Sequence, residues 1–362
     1  MADIQVVLPL REGFGLSHFG AIALCVRDFT EYSKYRNDTH IFGGVDTEPF
    51  TNMPYEVVRY LKIPFRSQNK AYAKAIVKRL KVNSPKLLEV HNRPILVHHI
   101  SKQWQGTIAL HLHNDPQTMR YAKTAKERDV LLEKCSAIYC VSEYIRDRFL
   151  DGTNGDSSKV HVIYNGLHEI SSPPNKQKHI LFVGRFQPEK GALDIAQALE
   201  TVLPEFPDWK GIFIGAARHD PNAKINDYER KVINALKSVD SQIEMRGFCS
   251  HGETMDATLE AAIAVIPSQW NEAFGRTGLE AMACGCATIS SVRGGLKEVV
   301  ADAAYPLEIV LPETIVSALR EVITNEEKRK ALQKAGLERA KYFAIERVTG
   351  MLDDVRSTLL GS

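Results

Sequence analysis

The sequence predicts an α/β protein made of two doubly wound domains in tandem, each a parallel sheet with helices on both faces. Short apolar runs rich in β-branched residues alternate with longer segments of helical period, the pattern of βα units. The alternation is interrupted after Gly166 by LHEISSPPNKQKH, the most polar and proline-rich joint in the middle of the chain, and then restarts. The length of 362 residues also exceeds what one ordinary core organises.

In chain order, the expected strands of the first domain are IQVVLPL, KLLEVH, TIALHLH, AIYCVS and KVHVIYNG. Those of the second are HILFVG, KGIFIGA, IEMRGF and AIAVIPS, with helices from about Ala192 and over YERKVINALKSV. From Leu311 onward the period is helical throughout. We place the domains at residues 1–168 and 169–341, followed by a C-terminal helix over 342–362. In that helix Val348, Met351, Leu352, Val355 and Leu359 recur at helical spacing, so it has an apolar face to bury.

Composition narrows the function class. With 44% hydrophobic and 25% charged residues the chain is neither disordered nor fibrous. No apolar stretch is long enough to span a bilayer, and MADIQVVLPLREGFG lacks the basic and long apolar regions of a secretion signal. The six cysteines show no repeated CxxC spacing, which suits reduced thiols in a cytosol; Cys284 and Cys286, at a helix end on Gly285, read as small packing residues rather than metal ligands. The expected location is therefore cytoplasmic. Although the formal charge is only +2, residues 59–86 hold nine Lys or Arg and no acid. There Ala71, Ala75, Ile76 and Leu80 recur at helical spacing among Lys70, Lys74, Lys78 and Arg79. This is either a solvated helix face or a docking surface for an anionic membrane, the latter implying a peripheral position on its inner face.

In open α/β sheets ligands sit outside the carboxyl ends of strands, where helix N-termini offer free N–H groups to phosphates. Three loops fit. LREGFGLSHFG follows the first strand and carries Gly13 and Gly15; such glycines serve plain turns as readily as ligands. GRFQPEKG, residues 184–191, carries Arg185 and Lys190, cations suited to a diphosphate or simply solvated. The third, SQWNEAFGRTG, leads into a helix beginning near Gly275, with Glu272 in the loop, Thr277 as a possible hydroxyl donor and Glu280 expected in the first turn. Helix-dipole stabilisation is the simple account of Glu280; a carboxylate gripping a ribose diol is the alternative. In TIALHLHNDP, alternation sends Leu110 and Leu112 to one face and His111 and His113 to the other, with His113 at the strand's carboxyl end.

These residues carry a resemblance. The run EAFGRTGLEAMACGCATISS followed by GGLKE is similar to the signature of retaining glycosyltransferases of the GT-B fold, glycosyltransferase family 4 (glycosyl transferases group 1), with its two glutamates separated by seven residues matched by Glu272 and Glu280. GRFQPEKG, the PS before Glu272, YNG and HLHND resemble the family in order and spacing. Where the family usually has proline the chain has Ala287, which starts the next strand rather than touching ligand, a change in local rigidity more than in chemistry.

The resemblance implies two Rossmann-like domains facing a central cleft, with the C-terminal helix crossing back to the first, acceptor-binding domain. It implies hexose transfer from a UDP- or GDP-sugar to a glycan or lipid-linked glycan acceptor, as in lipopolysaccharide or surface polysaccharide synthesis. No cofactor, no metal and no nucleic-acid partner are expected. Glu280 would bind the ribose. Glu272 with Ala273, Phe274 and Gly275 would hold the sugar. Arg185 and Lys190, with Gly15 and Thr277, would take the diphosphate, and the base would lie by Arg246, Gly247 and Phe248. His113 would face the sugar. Catalysis would fall to His113, Glu272, Arg185 and Lys190. Glu89, Asn92 and Arg93 of LEVHNRP, and Asp115, are weaker candidates for the acceptor, ordinary loop hydrogen bonding being the alternative for each. Two other functions share these features: a hydrolysing sugar-nucleotide epimerase and a non-catalytic nucleotide-sugar-binding subunit.

Overall fold

The computed structural model describes residues 3–15, 18–61, 65, 67–170, 175–216 and 225–361. Parts of three segments singled out above lie outside these residues: 16–17 of the first glycine loop, 62–64 and 66 of the basic segment, and 171–174 of the joint.

The chain divides into two compact units, one of residues 1–166 with 345–362, the other of 167–344. The first unit thus ends at Gly166 rather than 168, and the helix that rejoins it starts at Ile345 rather than 342. Leu167 is bridged to Ala344, which keeps both with the second unit.

The first unit contains β1 (Ile4–Val7), β2 (Phe14–Gly15), β3 (His18–Phe19), β4 (Thr39–Gly43), β5 (Tyr55–Val57), β6 (Leu87–His91), β7 (Thr107–Leu112), β8 (Ala137–Cys140) and β9 (Val160–Val162). Apart from the antiparallel pair β2/β3, they form one parallel sheet in the order β5-β4-β1-β6-β7-β8-β9. The second unit contains β10 (Gln177–Val183), β11 (Lys210–Ile214), β12 (Ile243–Gly247), β13 (Ala261–Ile266), β14 (Ala287–Ser291) and β15 (Tyr305–Leu307), a parallel sheet in the order β12-β11-β10-β13-β14-β15. Both orders reverse beside the unit's first strand, the arrangement of dinucleotide-binding folds. The sequence reading took the short β2/β3 pair as loop and passed over β4, β5 and β15. Each is short or half-polar: β5 is only half-buried along its length and β15 contains a proline.

Strand identity follows from burial on both faces. AAIAVI of β13 is buried at every position, and so is LLEVH of β6. In the basic segment, helix Gln68–Leu80 is capped by Ser67, whose side chain accepts from Lys70 N. Its buried stripe is Tyr72, Ala73, Ile76, Val77 and Leu80, so Ala71 and Ala75 lie at the margin rather than in the core. Tyr72 is fully buried, its hydroxyl donating to Leu8 O just past β1 at 3.4 Å, and the apolar face lies about one residue from the one expected. Lys70, Lys74 and Lys78 are exposed.

Helix Ile345–Leu360 packs in the first unit. Ile345, Val348 and Leu352 join the core of Ile4, Val6, Leu87, Ala109 and Tyr139, with Met351, Val355 and Leu359 partly buried against it. One charge goes in with them. Arg356 is 2% exposed and donates to Glu89 on β6 through Nε (2.9 Å) and Nη2 (2.7 Å), while its Nη1 reaches Asp353 and Ser33 at 3.1 Å each. Burial alone would raise the Glu89 carboxyl; Arg356 more than offsets this, and His111 adds to it, so the carboxyl sits well below the usual range.

Because the folded value lies below the unfolded one, the contribution of Glu89 is complete above the ordinary carboxylate value of about 4.3 and is lost as pH falls below it. Arg356→Met leaves the carboxylate buried without its partner and should cost about 3–5 kcal/mol at pH 7. The stranded carboxyl then titrates above its unfolded value, so the deficit should narrow from pH 7 to pH 5, and Glu89→Leu added to Arg356→Met should recover most of it. Urea unfolding at the two pH values checks this; equal deficits at both would show that the charge pair is not what the substitution removed.

Candidate functional site

The second sheet reverses its order between β10 and β13, and these strands deliver the second and third loops picked out in the sequence. The β10 loop passes through Arg185 and Lys190 to Gly191, which starts helix Ala192–Val202 at φ 70°. A Cβ at Gly191 would stand 2.0 Å from the carbonyl oxygen of Pro267 on the β13 loop, so only glycine lets the two loops touch. Gln269 N donates to Glu189 O at 2.9 Å and holds them together.

The β13 loop ends at Gly275, φ 95°, the first residue before helix Arg276–Ala283. A side chain there would collide with Leu296 of the following helix, at 2.4 Å. Glu272 is bridged to Gly294, and Gly295 N donates to its carbonyl at 2.7 Å, so the loop backbone is fixed from both sides. Glu272 is 8% exposed; its Oε1 accepts from Lys190 Nζ (2.6 Å) and Ser268 Oγ (2.7 Å). Burial opposes ionisation of Glu272, but Lys190, Ser268 and Trp270 outweigh it and the carboxyl stays below its ordinary value. Lys190 Nζ also stands 5.2 Å from the centre of the Trp270 ring.

Glu280 is 7% exposed and is the fifth residue of its helix, so it lies in the second turn and not the first; the first turn contains no acid. The dipole account of this residue therefore fails, because that effect is confined to the terminal turn. Instead Arg276 Nε (2.8 Å) and His251 Nε2 (3.2 Å) both meet Oε1, which among the described residues leaves Oε2 open to another donor. Against the cost of burial, His251 and Arg276 hold the carboxyl below its usual range. Glu280 and Thr277 line a small recess with Thr254, Leu181 of β10 and Ile266 of β13.

The remaining residues of this unit are placed as follows. Arg185 is exposed and has no ion-pair partner among the described residues. Ala273 is half-buried, whereas Phe274 is buried and packs edge-on to Phe343 at 5.7 Å; its backbone, not its ring, belongs to the loop surface. Gly247 ends β12 at φ 65° with open space where a Cβ would stand, and Phe248 is 48% exposed. Arg246 is turned onto Glu244, its Nε donating at 2.8 Å.

In the first unit His113 follows β7 and is half-buried, its Nε2 3.0 Å from Nδ1 of His91. Gly15 lies in β2 packed against the chain at Glu48, where a Cβ would meet the carbonyl oxygen at 1.7 Å, so close backbone packing already accounts for glycine. Three of the four acceptor candidates have structural partners. Glu89 is fully buried on Arg356, which removes it from any acceptor surface. Asn92, also buried, accepts His113 N through Oδ1 at 3.1 Å. Asp115 accepts Gln117 N (2.9 Å) and Arg148 Nε (3.0 Å). Arg93 is half-buried and donates to Asn92 O at 2.7 Å.

Sequence reasoning missed Ser268, His251 and Arg276. Arg276 was legible as the i,i+4 partner of Glu280. His251 lies 29 residues before Glu280 on another helix, and nothing in the local pattern marks it.

What the site offers is two buried carboxylates, each held by a cation or imidazole, beside a glycine-started helix at a strand-order reversal. That chemistry suits a hydroxylated, phosphorylated ligand. Residues 166–339 match the family model described as Glycosyl transferases group 1, and residues 36–169 match Glycosyltransferase Family 4. Among curated relatives, the Bacillus subtilis protein YtcC is 26% identical over 338 residues, 87% of this chain and 82% of its own. The lipopolysaccharide 1,2-N-acetylglucosaminetransferase of Salmonella typhimurium is 27% identical over 159 residues, 43% of this chain and 42% of its own. Among solved structures, HepE of Anabaena in complex with UDP and glucose superposes with a TM-score of 0.77 at 17% identity, covering 99% of this chain and 100% of that one. WaaG, a glycosyltransferase involved in lipopolysaccharide biosynthesis, does so with 0.71 at 14% identity, covering 97% and 99%. With its two parallel-sheet units and these two matched models, the chain is a glycosyltransferase of the group 1 and family 4 kind, on the GT-B fold.

Proposed function

We propose that the protein is a retaining, metal-independent hexosyltransferase that uses a UDP- or GDP-sugar and acts on a glycan or lipid-linked glycan in lipopolysaccharide or surface polysaccharide synthesis. The observation that supports this reading best is the pair Glu272 and Glu280, both buried and both kept ionised by fixed partners around the Gly275 helix start. HepE, of the same fold, was solved with UDP-glucose, and WaaG and the Salmonella transferase are named for lipopolysaccharide; these names motivate the donor and acceptor classes.

In this reading Oε2 of Glu280 accepts the ribose hydroxyls while Arg276 and His251 keep hold of Oε1. Glu272 and the backbone of Ala273, Phe274 and Gly275 take the sugar. Lys190 has three N–H donors, so it can keep Glu272 and still meet a phosphate oxygen. Arg185, exposed after β10, is the second cation for the diphosphate, with Thr277 at the helix start as a further donor. As the sugar leaves, negative charge builds on the nucleoside diphosphate, and prearranged cations lower that barrier without a divalent ion. Gly247 and Phe248, at the carboxyl end of β12, offer an open surface for the base. His113 faces the sugar or the acceptor. Lys70, Lys74 and Lys78, with the exposed Leu61 and Val82, form the surface we assign to an anionic membrane; among the described residues no helix is long and apolar enough to cross one.

Three outcomes are expected. In a thermal-shift panel of UDP, GDP, ADP and their sugar conjugates, one nucleotide should raise the melting temperature of the wild type, by the equivalent of about 2.7 kcal/mol at a hundredfold excess over Kd. Glu280→Gln should lose that rise; a folded wild type that responds to no nucleotide would remove the basis of the donor site. Transfer to an added acceptor should be unchanged by EDTA, whereas Lys190→Ala should cut kcat by roughly a hundredfold or more. Restoration by Mg²⁺ or Mn²⁺ after EDTA would overturn metal independence, and sugar release without acceptor would favour the epimerase reading. Liposomes containing anionic lipid should sediment the protein at low salt and release it at high salt; no sedimentation at low salt would count against the membrane surface.

A further inference from the structure

The first unit carries a row of imidazoles that a sugar-facing His113 does not by itself explain. β6 and β7 pair in the register His91↔His111, so both side chains stand on one face of the sheet. Their rings stack 4.0 Å apart at 12°, and Tyr139, opposite His111 on β8, extends the row at 4.4 Å. His91 and His111 are 2% and 3% exposed. Beyond the strand end His113 adds a third ring, its plane 21° from that of His91.

Its place is set from two sides. Asn92, at φ 53°, donates its own N–H to His111 O (2.7 Å) and accepts His113 N on its side chain (3.1 Å), which turns the backbone between strand ends. His91 Nδ1 then lies 3.0 Å from His113 Nε2. A hydrogen bond between two imidazole nitrogens needs one donor and one acceptor, so a single proton sits between the rings and the tautomer of either fixes the other. With Nε2 of His113 engaged, Nδ1 is the nitrogen it presents to a ligand.

Beneath the row, Glu89 is two residues before His91 on the same face, gripped by Arg356; His111 Nε2 is 3.6 Å from Glu89 Oε2, beyond hydrogen-bond length, and has no hydrogen-bond partner among the described residues. Burial holds all three imidazoles below their ordinary value; His111 and His113 add to this for His91, and His111 adds to it for His113. Arg356, Glu89, Asp353 and Tyr139 complete the charged and titratable surroundings.

A nitrogen from each of the three histidines lies within 4.8 Å of the others, close enough to raise the question of a metal ion. A metal must lie in the plane of each imidazole it binds. The face-to-face stack of His91 on His111 opposes this, and the facing nitrogens of His91 and His113 are already bonded to each other. The arrangement is a stack and a hydrogen bond, not a ligand set.

We infer that His91 is a positioning residue for His113: through the Nδ1 to Nε2 hydrogen bond it fixes the ring orientation and tautomer of His113, and so decides whether Nδ1 of His113 donates to or accepts from the bound sugar. The role in transfer rests on the proposed function; the hydrogen bond does not.

The test is NMR of the full-length protein labelled with ¹⁵N-histidine, following the ring nitrogens of His113 with pH. The wild type should show one tautomer that stays neutral through pH 5. His91→Phe keeps a ring to stack on His111 but removes the nitrogen. It should give mixed tautomers. His91→Asn, whose amide can donate or accept near the lost Nδ1, should restore the single tautomer. An unchanged His113 spectrum in His91→Phe would overturn the inference. So would failure of His91→Asn to restore it, or one equivalent of ZnCl₂ shifting all three rings together in the wild type. None of these spectra depends on turnover, so an inactive protein with the expected spectra would count against glycosyl transfer alone.

Discussion

Each sheet must reverse the direction in which it grows, and that constraint places everything else. Two crossovers leaving a shared central region in opposite directions cannot fill the space above the strand ends where they part. In the second unit that space lies at the ends of β10 and β13, and in the first at the ends of β1 and β6. The loops that grip each other at the first of these points, through Gly191 against Pro267 and Gln269 against Glu189, carry Lys190 and Glu272 into contact. Beside the second, the residues after β6 and its neighbour β7 carry Asn92 and His113 together.

Three buried carboxylates show how burial and function are balanced. Glu89, Glu272 and Glu280 each stay ionised only because a positive or hydrogen-bonding group is built beside them. For Glu89 that group is a guanidinium from the last helix, bonded to both oxygens, and full burial keeps the carboxylate from a ligand. For Glu280 both partners crowd one oxygen and spare the other. The same chemistry thus makes one glutamate a bolt between helix and sheet and the other a candidate receptor: two donors meet each carboxylate, but they fall one on each oxygen of the fully buried Glu89 and both on Oε1 of Glu280.

The histidine row depends on the first of these. Glu89 and His91 share a face, and the core that the last helix forms with Tyr139, Ala109 and Leu87 closes that face against water. Removing the ring stack from solvent is what keeps the imidazoles neutral and makes one shared proton, rather than a mobile charge, the link between His91 and His113.

Much of this was legible in the chain itself. The tandem α/β plan, the joint near Gly166, the apolar stripe of the last helix, and the loops bearing Arg185, Lys190, Glu272 and Gly275 all follow from local period, glycine placement and strand-end position, because backbone preference and burial of a face are local or short-range demands. Strands β4, β5 and β15 were not legible, since short or half-polar segments become strands only when a neighbour supplies hydrogen bonds. Glu89 reads as a strand-end candidate for the acceptor and is a core residue, because its partner lies 267 positions away. Glu280 reads as a first-turn acid and sits one turn further on, paired with a histidine from another helix. Sequence by itself determined which residues lie at strand ends and helix starts; only the tertiary structure decided which charges meet, since ion pairs and ring stacks between distant segments are set by packing and leave no periodic trace in the chain.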